Sequence, residues 1–135
     1  MMTTQKNKKQ AAYQKGVWAE RLAALYLMGK GYKILKRRYK TKVGEIDLIA
    51  QHGDTLVFIE VKARASTDDS LFSITERAKT RITNAAQHYL SENDLPLDQD
   101  MRFDVVAVGS DARSSSGSNG LFGVKHLDNA WLASA

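Results

Sequence analysis

Four side chains in this sequence combine reactive chemistry with suggestive spacing: Glu20, Asp47, Glu60 and Lys62. Asp47 lies in the stretch "GEIDLIAQHGD", and Glu60 and Lys62 lie in "FIEVKAR". Both stretches are rich in β-branched and aliphatic residues, so both read as strands, with Gly53 permitting a tight reversal between them. Side chains on a strand alternate between faces. Glu60 and Lys62 therefore share a face with Phe58, while Ile59 and Val61 fill the other. In the preceding strand Glu45, Asp47 and Ile49 share one face, and Ile46 and Leu48 the other. With His52-Gly53 at the centre of the hairpin, Asp47 faces Phe58; with Gly53-Asp54 there, it faces Glu60. Either register puts Asp47 on the face of Glu60 and Lys62, because a shift of two residues preserves the side. Carboxylates opposed on neighbouring strands repel unless a cation lies between them.

Glu20 is the second anomaly. On a helix, positions 17, 20, 24 and 27 form one row, which here reads Val17, Glu20, Ala24, Leu27. A carboxylate inside an apolar stripe needs a partner, a metal or a raised pKa. A divalent cation answers all three acids. Magnesium takes oxygen ligands, commonly one or two carboxylates with waters and phosphate oxygens. Asp47 and Glu60 would hold it, with the Val61 carbonyl as a further donor, and Glu20 would bind through water or hold a second ion. Lys62 would then stand where an attacking water or a phosphate oxygen arrives. Singly, each residue has a plainer explanation: an exposed Glu–Lys pair for Glu60 and Lys62, a strand end for Asp47, a salt bridge to Arg38 or Lys62 for Glu20. Their expected convergence favours chemistry.

The elements that must position these groups form one short chain. Its 135 residues suit a single domain with a modest core, and 43% hydrophobic and 26% charged residues are ordinary globular values. Residues 1–11 read as a flexible basic arm, and residues 12–135 as the domain. A helix is expected over 13–28, stopped by Gly29 and Gly31, and a second over 73–90, with Ile74, Ala78, Ile82, Ala85 and Tyr89 along one side. "YKILKRRY" is extended, "RFDVVAV" and "LFGVKHL" are strands, "STDDS" and "GSDARSSSGSNG" are loops, and "DNAWL" is a terminal helical turn capped by Asp128. The order implies an α/β chain with a small mixed sheet.

Composition narrows the function classes. The chain has no cysteine, which removes disulfides, thiolate zinc sites and cysteine nucleophiles, and fits a cytoplasmic location. The scattered His52, His88 and His126 give no zinc spacing. The apolar stretch "LAALYLM" is short of the ~20 residues that span a bilayer, and no apolar run follows the N-terminal lysines, so neither membrane nor secretory signal is expected. The net charge of +5 is unevenly spread. Residues 1–44 hold twelve Lys or Arg and one acid, and the remainder eight basic and fourteen acidic residues. The cluster "KILKRRYKTK", with Lys36, Arg37, Arg38, Lys40 and Lys42, leads into the acid-bearing strands and suggests a polyanion partner.

At these residues the chain resembles the YraN-like family of small bacterial proteins. That family is in turn similar to the restriction-endonuclease-like nucleases and, among them, the archaeal Holliday-junction resolvases. The likeness covers about residues 13–109. It rests on "GVWAERLAALYLMGKGYKIL", "GEIDLIA", "LVFIEVKAR", "AAQHYL" and "RFDVVAV", in that order. It implies a restriction-endonuclease-like core, with a small mixed β-sheet flanked by helices across residues 12–135, and an aspartate followed by Glu-x-Lys as the catalytic motif. Residue by residue, Glu20 matches the acid of the first helix, Asp47 and Glu60 the metal ligands, and Lys62 the lysine. The proline often found before the aspartate is Ile46 here. The often asparagine-rich segment before the glycine reads "RRYKTKVG", which keeps the charge and loses the asparagine. Arg64 ends the motif strand, and Lys79 and Arg81 fall where related nucleases place phosphate contacts; a solvated helix face is the alternative for the last two. The resemblance thus implies a nuclease that hydrolyses DNA phosphodiesters, on branched or damaged structures, with Mg2+ as cofactor and Mn2+ as substitute. Its resolvase-like kinship suggests a homodimer. The competing reading is a nucleic-acid-binding module that keeps the fold and does not cut.

Overall fold

The computed structural model describes residues 5–64, 73–109 and 123–133. The expected loops at 66–70 and 110–120 lie outside them. Seven elements follow in order: α1 (Gln5–Gly29), β1 (Lys33–Lys40), β2 (Glu45–His52), β3 (Thr55–Arg64), α2 (Glu76–Glu92), β4 (Met101–Gly109) and β5 (Val124–Trp131). The strands form one sheet in the order β1-β2-β3-β4-β5. All neighbours are antiparallel except β3 and β4, which run parallel because α2 carries the chain across between them. The protein is an α/β chain with a small mixed sheet flanked by helices, as its element order implies. Among the described residues no helix is long and apolar enough to cross a membrane.

Each helix covers one face of the sheet. Ala19, Ala23, Ala24 and Leu27 of α1 pack on Leu48, Ala50, Val57, Ile59, Val106 and Val108. Ile82, Ala85, Ala86 and Leu90 of α2 pack on the opposite face, against Ile49, Leu56, Phe58, Phe103 and Val105. Phe58 and Ile59, adjacent in sequence, are both fully buried on opposite faces. That explains why β3 is apolar on both sides until Glu60. Each such side chain contributes roughly 1.5–3 kcal/mol relative to exposure.

Local signals account for most boundaries. Helix α1 ends in a Schellman motif: Tyr32 N–H donates to Leu27 O (3.0 Å) and Gly31 N–H to Met28 O (3.1 Å). Gly31, at φ +91°, supplies the left-handed residue this requires. Helix α2 is N-capped by Thr75, whose hydroxyl accepts from Ala78 N–H. The β2–β3 hairpin pairs His52 with Thr55 around Gly53-Asp54, with Gly53 at φ +63°. Of the two registers the sequence allowed, this is the one that opposes Asp47 to Glu60.

Two expectations need correction. Helix α1 begins at Gln5, so residues 5–11, expected as an arm, belong to it. The segment "QKNKKQAA" is built of residues with fair to good helix propensity and contains no glycine or proline. "DNAWL" is not a helical turn either. Strand β5 runs on to Trp131, which pairs with Phe103 and stacks on its ring at 5.0 Å. Burying that indole outweighs the capping preference of Asp128.

Candidate active site

The site forms where β2 and β3 part. Their ladder is continuous from His52–Thr55 to Leu48–Ile59 and stops there. One step beyond, Asp47 and Glu60 stand opposite each other. Strand β3 continues to pair with β4 through Arg64–Gly109, while its ladder with β2 goes no further than Ile59. Asp47 fills the gap: its Oδ2 accepts from Val61 N–H at 2.8 Å. A part-buried backbone donor is thereby satisfied by a side chain.

The local cause lies in β1. Arg38 stands opposite Asp47 by register, yet the rungs on either side, Arg37–Leu48 and Tyr39–Ile46, skip that pair. Arg38 has φ +51°, the left-handed region that side chains other than glycine and asparagine seldom adopt. The break corrects the expected alternation. Leu48 joins the cluster under α1, while Ile46 joins the one under α2, together with Ile49. Asp47 sits at the point where β2 changes sides.

Electrostatics separates Asp47 from ordinary strand acids. Burial, the charge of Glu60 and a hydrogen bond to the Glu60 carboxyl push it up to about 8, with Glu45 adding to the effect and the Val61 N–H opposing it. At neutral pH the Asp47 carboxyl therefore holds its proton. Lys62 Nζ lies 3.7 Å from Glu60 Oε2, and both side chains are about one-fifth exposed, so solvent reaches the group. Asp47 and Glu60 are the donors that could hold a divalent cation, which would replace that proton.

Glu20 takes another partner. Arg38 Nε donates to its Oε1 at 2.7 Å, one of the two salt bridges its position offered. Glu20, Arg38, Lys40, Glu45, Ile46 and Asp47 line one cavity of about 110 Å³, so Glu20 reaches the rim of the same site. Among the described residues no three acidic or histidine side chains are close enough to one another to hold an ion together.

The expected nucleic-acid contacts fall into three groups. Lys36, Arg37 and Lys40 are exposed along β1, an edge strand, and Lys42 follows in the turn before β2. Cations on an edge strand also discourage edge-to-edge pairing, so they have a structural use as well. Arg64 closes β3. Lys79 bonds Glu76 at 3.0 Å and borders a different cavity, of about 340 Å³, with Trp131 and Leu132.

Sequence reasoning passed over a second polar centre. Asp104 of β4 is fully buried, and its carboxylate is ringed by donors. Arg102 grips both oxygens at 2.9 Å, His126 Nε2 lies 2.7 Å from Oδ2, and Asn129 N–H donates to Oδ1 at 3.0 Å. Lys30 Nζ lies 2.7 Å from His126 Nδ1, and Arg102 donates to the Tyr32 hydroxyl at 2.6 Å. Burial alone would raise the Asp104 carboxyl; the hydrogen bonds from His126, Arg102 and Asn129 outweigh it and hold the group below the usual carboxylate range. This centre is saturated, and its arrangement is structural.

Comparison with known proteins places the chain. The family model described as uncharacterised protein family UPF0102 matches residues 19–108, which span α1 through β4. A UPF0102 protein of Rhodopseudomonas palustris (strain HaA2) is 49% identical over 98 residues, covering 73% of this chain and 77% of its own. One from Brucella canis is 48% identical over 107 residues, covering 79% of this chain and 85% of its own. One from Bradyrhizobium diazoefficiens is 45% identical over 98 residues, with 73% and 74% covered. The matched segment contains Glu20, Asp47, Glu60 and Lys62 and the sheet that carries them, and the chain belongs to the uncharacterised protein family UPF0102.

Proposed function

We propose that the protein is a metal-dependent nuclease that hydrolyses DNA phosphodiester bonds at the Asp47–Glu60–Lys62 group, acting in the cytoplasm. The observation that carries this reading is the Asp47–Glu60 pair itself. Two carboxyls face each other at a strand fork, one of them pushed up to about 8, with a lysine 3.7 Å away. Sheet formation does not call for that arrangement, whereas a hard cation with water and phosphate oxygens does. The residues present fit Mg2+, with Mn2+ as substitute, through Asp47 and Glu60; Glu20 would act through water from across the cavity. Such an ion supplies Lewis acidity toward a phosphoryl oxygen and lowers the pKa of bound water.

The chain's own groups do the remainder. Val61 N–H fixes the Asp47 carboxylate, so its free oxygen has one orientation. Lys62, held near Glu60, faces the incoming phosphate and stabilises negative charge as water adds to phosphorus and the P–O ester bond breaks. The cations of β1 and the following turn hold the polyanion beside the fork. The likeness to resolvases supplies branched or damaged DNA as the substrate class, and a homodimer as the assembly; fold alone fixes neither.

The Glu20–Arg38 ion pair favours a second reading. It occupies two groups at the cavity rim and suits a module that binds nucleic acid without cutting. A cleavage assay separates the two readings. Plasmid, single-stranded and four-way-junction DNA are incubated with Mg2+, Mn2+ or EDTA, beside Asp47→Ala and Glu60→Ala proteins. Metal-dependent cutting lost in both variants supports the nuclease. Equal cutting by all three proteins contradicts it, and tight binding without cutting supports the module.

A further inference from the structure

The turn between β1 and β2 is held more firmly than a connector needs. The Thr41 hydroxyl donates to Gly44 O (2.8 Å) and accepts from Val43 N–H (3.1 Å) and Gly44 N–H (3.0 Å). Thr41 N–H also donates to Gly44 O at 2.9 Å. Gly44 is pressed against helix α2: a Cβ there would lie 2.1 Å from the Arg81 carbonyl oxygen, which no side chain could accommodate. The turn is thus closed by its own hydrogen bonds and seated on a helix backbone at Gly44, yet its one apolar side chain is exposed. Val43 is 46% exposed, between Lys42 and Gly44.

Beside the turn lies an open groove of about 720 Å³ lined by Lys40, Thr41, Lys42, Val43 and His88. The lining carries two lysines and no acid. Val43 supplies its apolar lining, beside the exposed His88 ring of α2, 6.3 Å from the Tyr39 ring. Lys40 borders this groove and also the cavity that Asp47 lines, so the two share that residue.

We infer that this groove is a binding subsite for an unpaired nucleic-acid strand, with phosphates on Lys40 and Lys42 and a base against Val43 and His88. The inference rests on the proposed function and assigns the part of the substrate next to the scissile bond. Charge complementarity selects a polyanion. Val43 and the His88 ring select an unpaired nucleotide, because a duplex hides the faces of its bases, whereas a single strand can lay one on an aromatic ring or an apolar side chain. A rigid turn suits the purpose, since little further ordering is lost when the strand binds.

Binding in EDTA tests this without reference to cleavage. A short fluorescein-labelled oligodeoxythymidylate and a duplex of equal length are titrated onto the full-length chain and onto Val43→Asp, His88→Ala, Lys42→Ala and Lys30→Ala proteins. Lys30, beside His126 and away from the groove, controls for loss of one charge. The expected result is tighter binding of the single strand than of the duplex. Val43→Asp and His88→Ala should each weaken single-strand binding about ten-fold. Lys42→Ala should lower the salt slope by about 0.7, and Lys30→Ala should change little. Thermal melts show that the variants are folded, and His88→Ala, on a separate element, stands in should Val43→Asp unfold. Preference for duplex, or unchanged single-strand binding by folded Val43→Asp and His88→Ala, overturns the inference. Loss of binding in these variants without any metal-dependent cleavage by the parent protein overturns the nuclease reading and leaves the subsite standing.

Discussion

Asp47 and Asp104 are built alike and treated in opposite ways. Each lies beside a neighbouring strand containing a left-handed residue, Arg38 at φ +51° in β1 and Asn129 at φ +52° in β5. Each carboxylate accepts a backbone N–H that the interrupted ladder leaves over, from Val61 for Asp47 and from Asn129 for Asp104. The remaining partners differ. Asp104 receives Arg102 and His126 and is held below the usual carboxylate range, whereas Asp47 receives Glu60 and is pushed up to about 8. Breaks in a sheet edge thus serve two ends of one molecule. At one the buried charge is neutralised by protein groups and adds to the structure. At the other a carboxyl is pushed toward its neutral form beside a second carboxyl, and that perturbation marks the candidate active site.

The contrast can be broken first at Asp104. Asp104→Ala leaves the part-buried Arg102 and the His126 ring without their shared acceptor, and should destabilise the fold by about 3 kcal/mol in urea unfolding. Asp47→Asn should do the reverse. An amide can accept from Val61 and donate to Glu60, as the protonated acid does. Its melting temperature at pH 8 should rise by several degrees, while metal-dependent cleavage falls at least about a hundred-fold. A rise in stability with loss of activity would separate Asp47 from any structural acid.

The pH dependence of stability sharpens the same comparison. Asp104 has a depressed folded pKa, so its contribution is present above the unfolded value of 3.8 and disappears as pH falls through the folded one. Asp47 has a raised folded pKa. In the unfolded chain it ionises near 3.8, while in the fold it stays protonated up to about 8, so stability declines across that interval. Melting temperature should therefore climb out of the acid range to a maximum near pH 4 and fall toward pH 8. Asp47→Asn should flatten only the falling limb. Thermal melts from pH 2.5 to pH 9 read both limbs.

The smallest effect concerns Arg38. Arg38→Gly and Arg38→Ala both lose the Glu20 ion pair, but only glycine is at ease at φ +51°. The glycine variant should be about 1 kcal/mol more stable than the alanine variant by denaturant unfolding. Equal stability would show that the backbone there carries no strain.

The site was more legible in the sequence than its surroundings. Period-two alternation placed Asp47, Glu60 and Lys62 together because β3 is regular and its hairpin turn is two residues long. Alternation failed for Ile46, since nothing in "RRYKTKVG" announces that an arginine takes a left-handed conformation. Glu20 stood out against its apolar row, and its actual partner, Arg38, was one of two basic residues within reach. Asp104 gave little signal: Arg102, two residues earlier, shares its strand face, but only the folded sheet brings Tyr32, His126 and Asn129 around the pair. "DNAWL" misled for a related reason. A local capping preference was weighed without the distant ring of Phe103, against which Trp131 packs.

The most direct test of the Asp47–Glu60 pair is an Mn2+ titration followed by electron paramagnetic resonance, comparing the parent protein with Asp47→Asn at pH 6.5 and pH 8. The account predicts a bound ion in the parent, held more tightly at pH 8 because the Asp47 proton must leave, and lost in Asp47→Asn. Equal Mn2+ binding by the variant, or no binding by the parent at either pH, would contradict it.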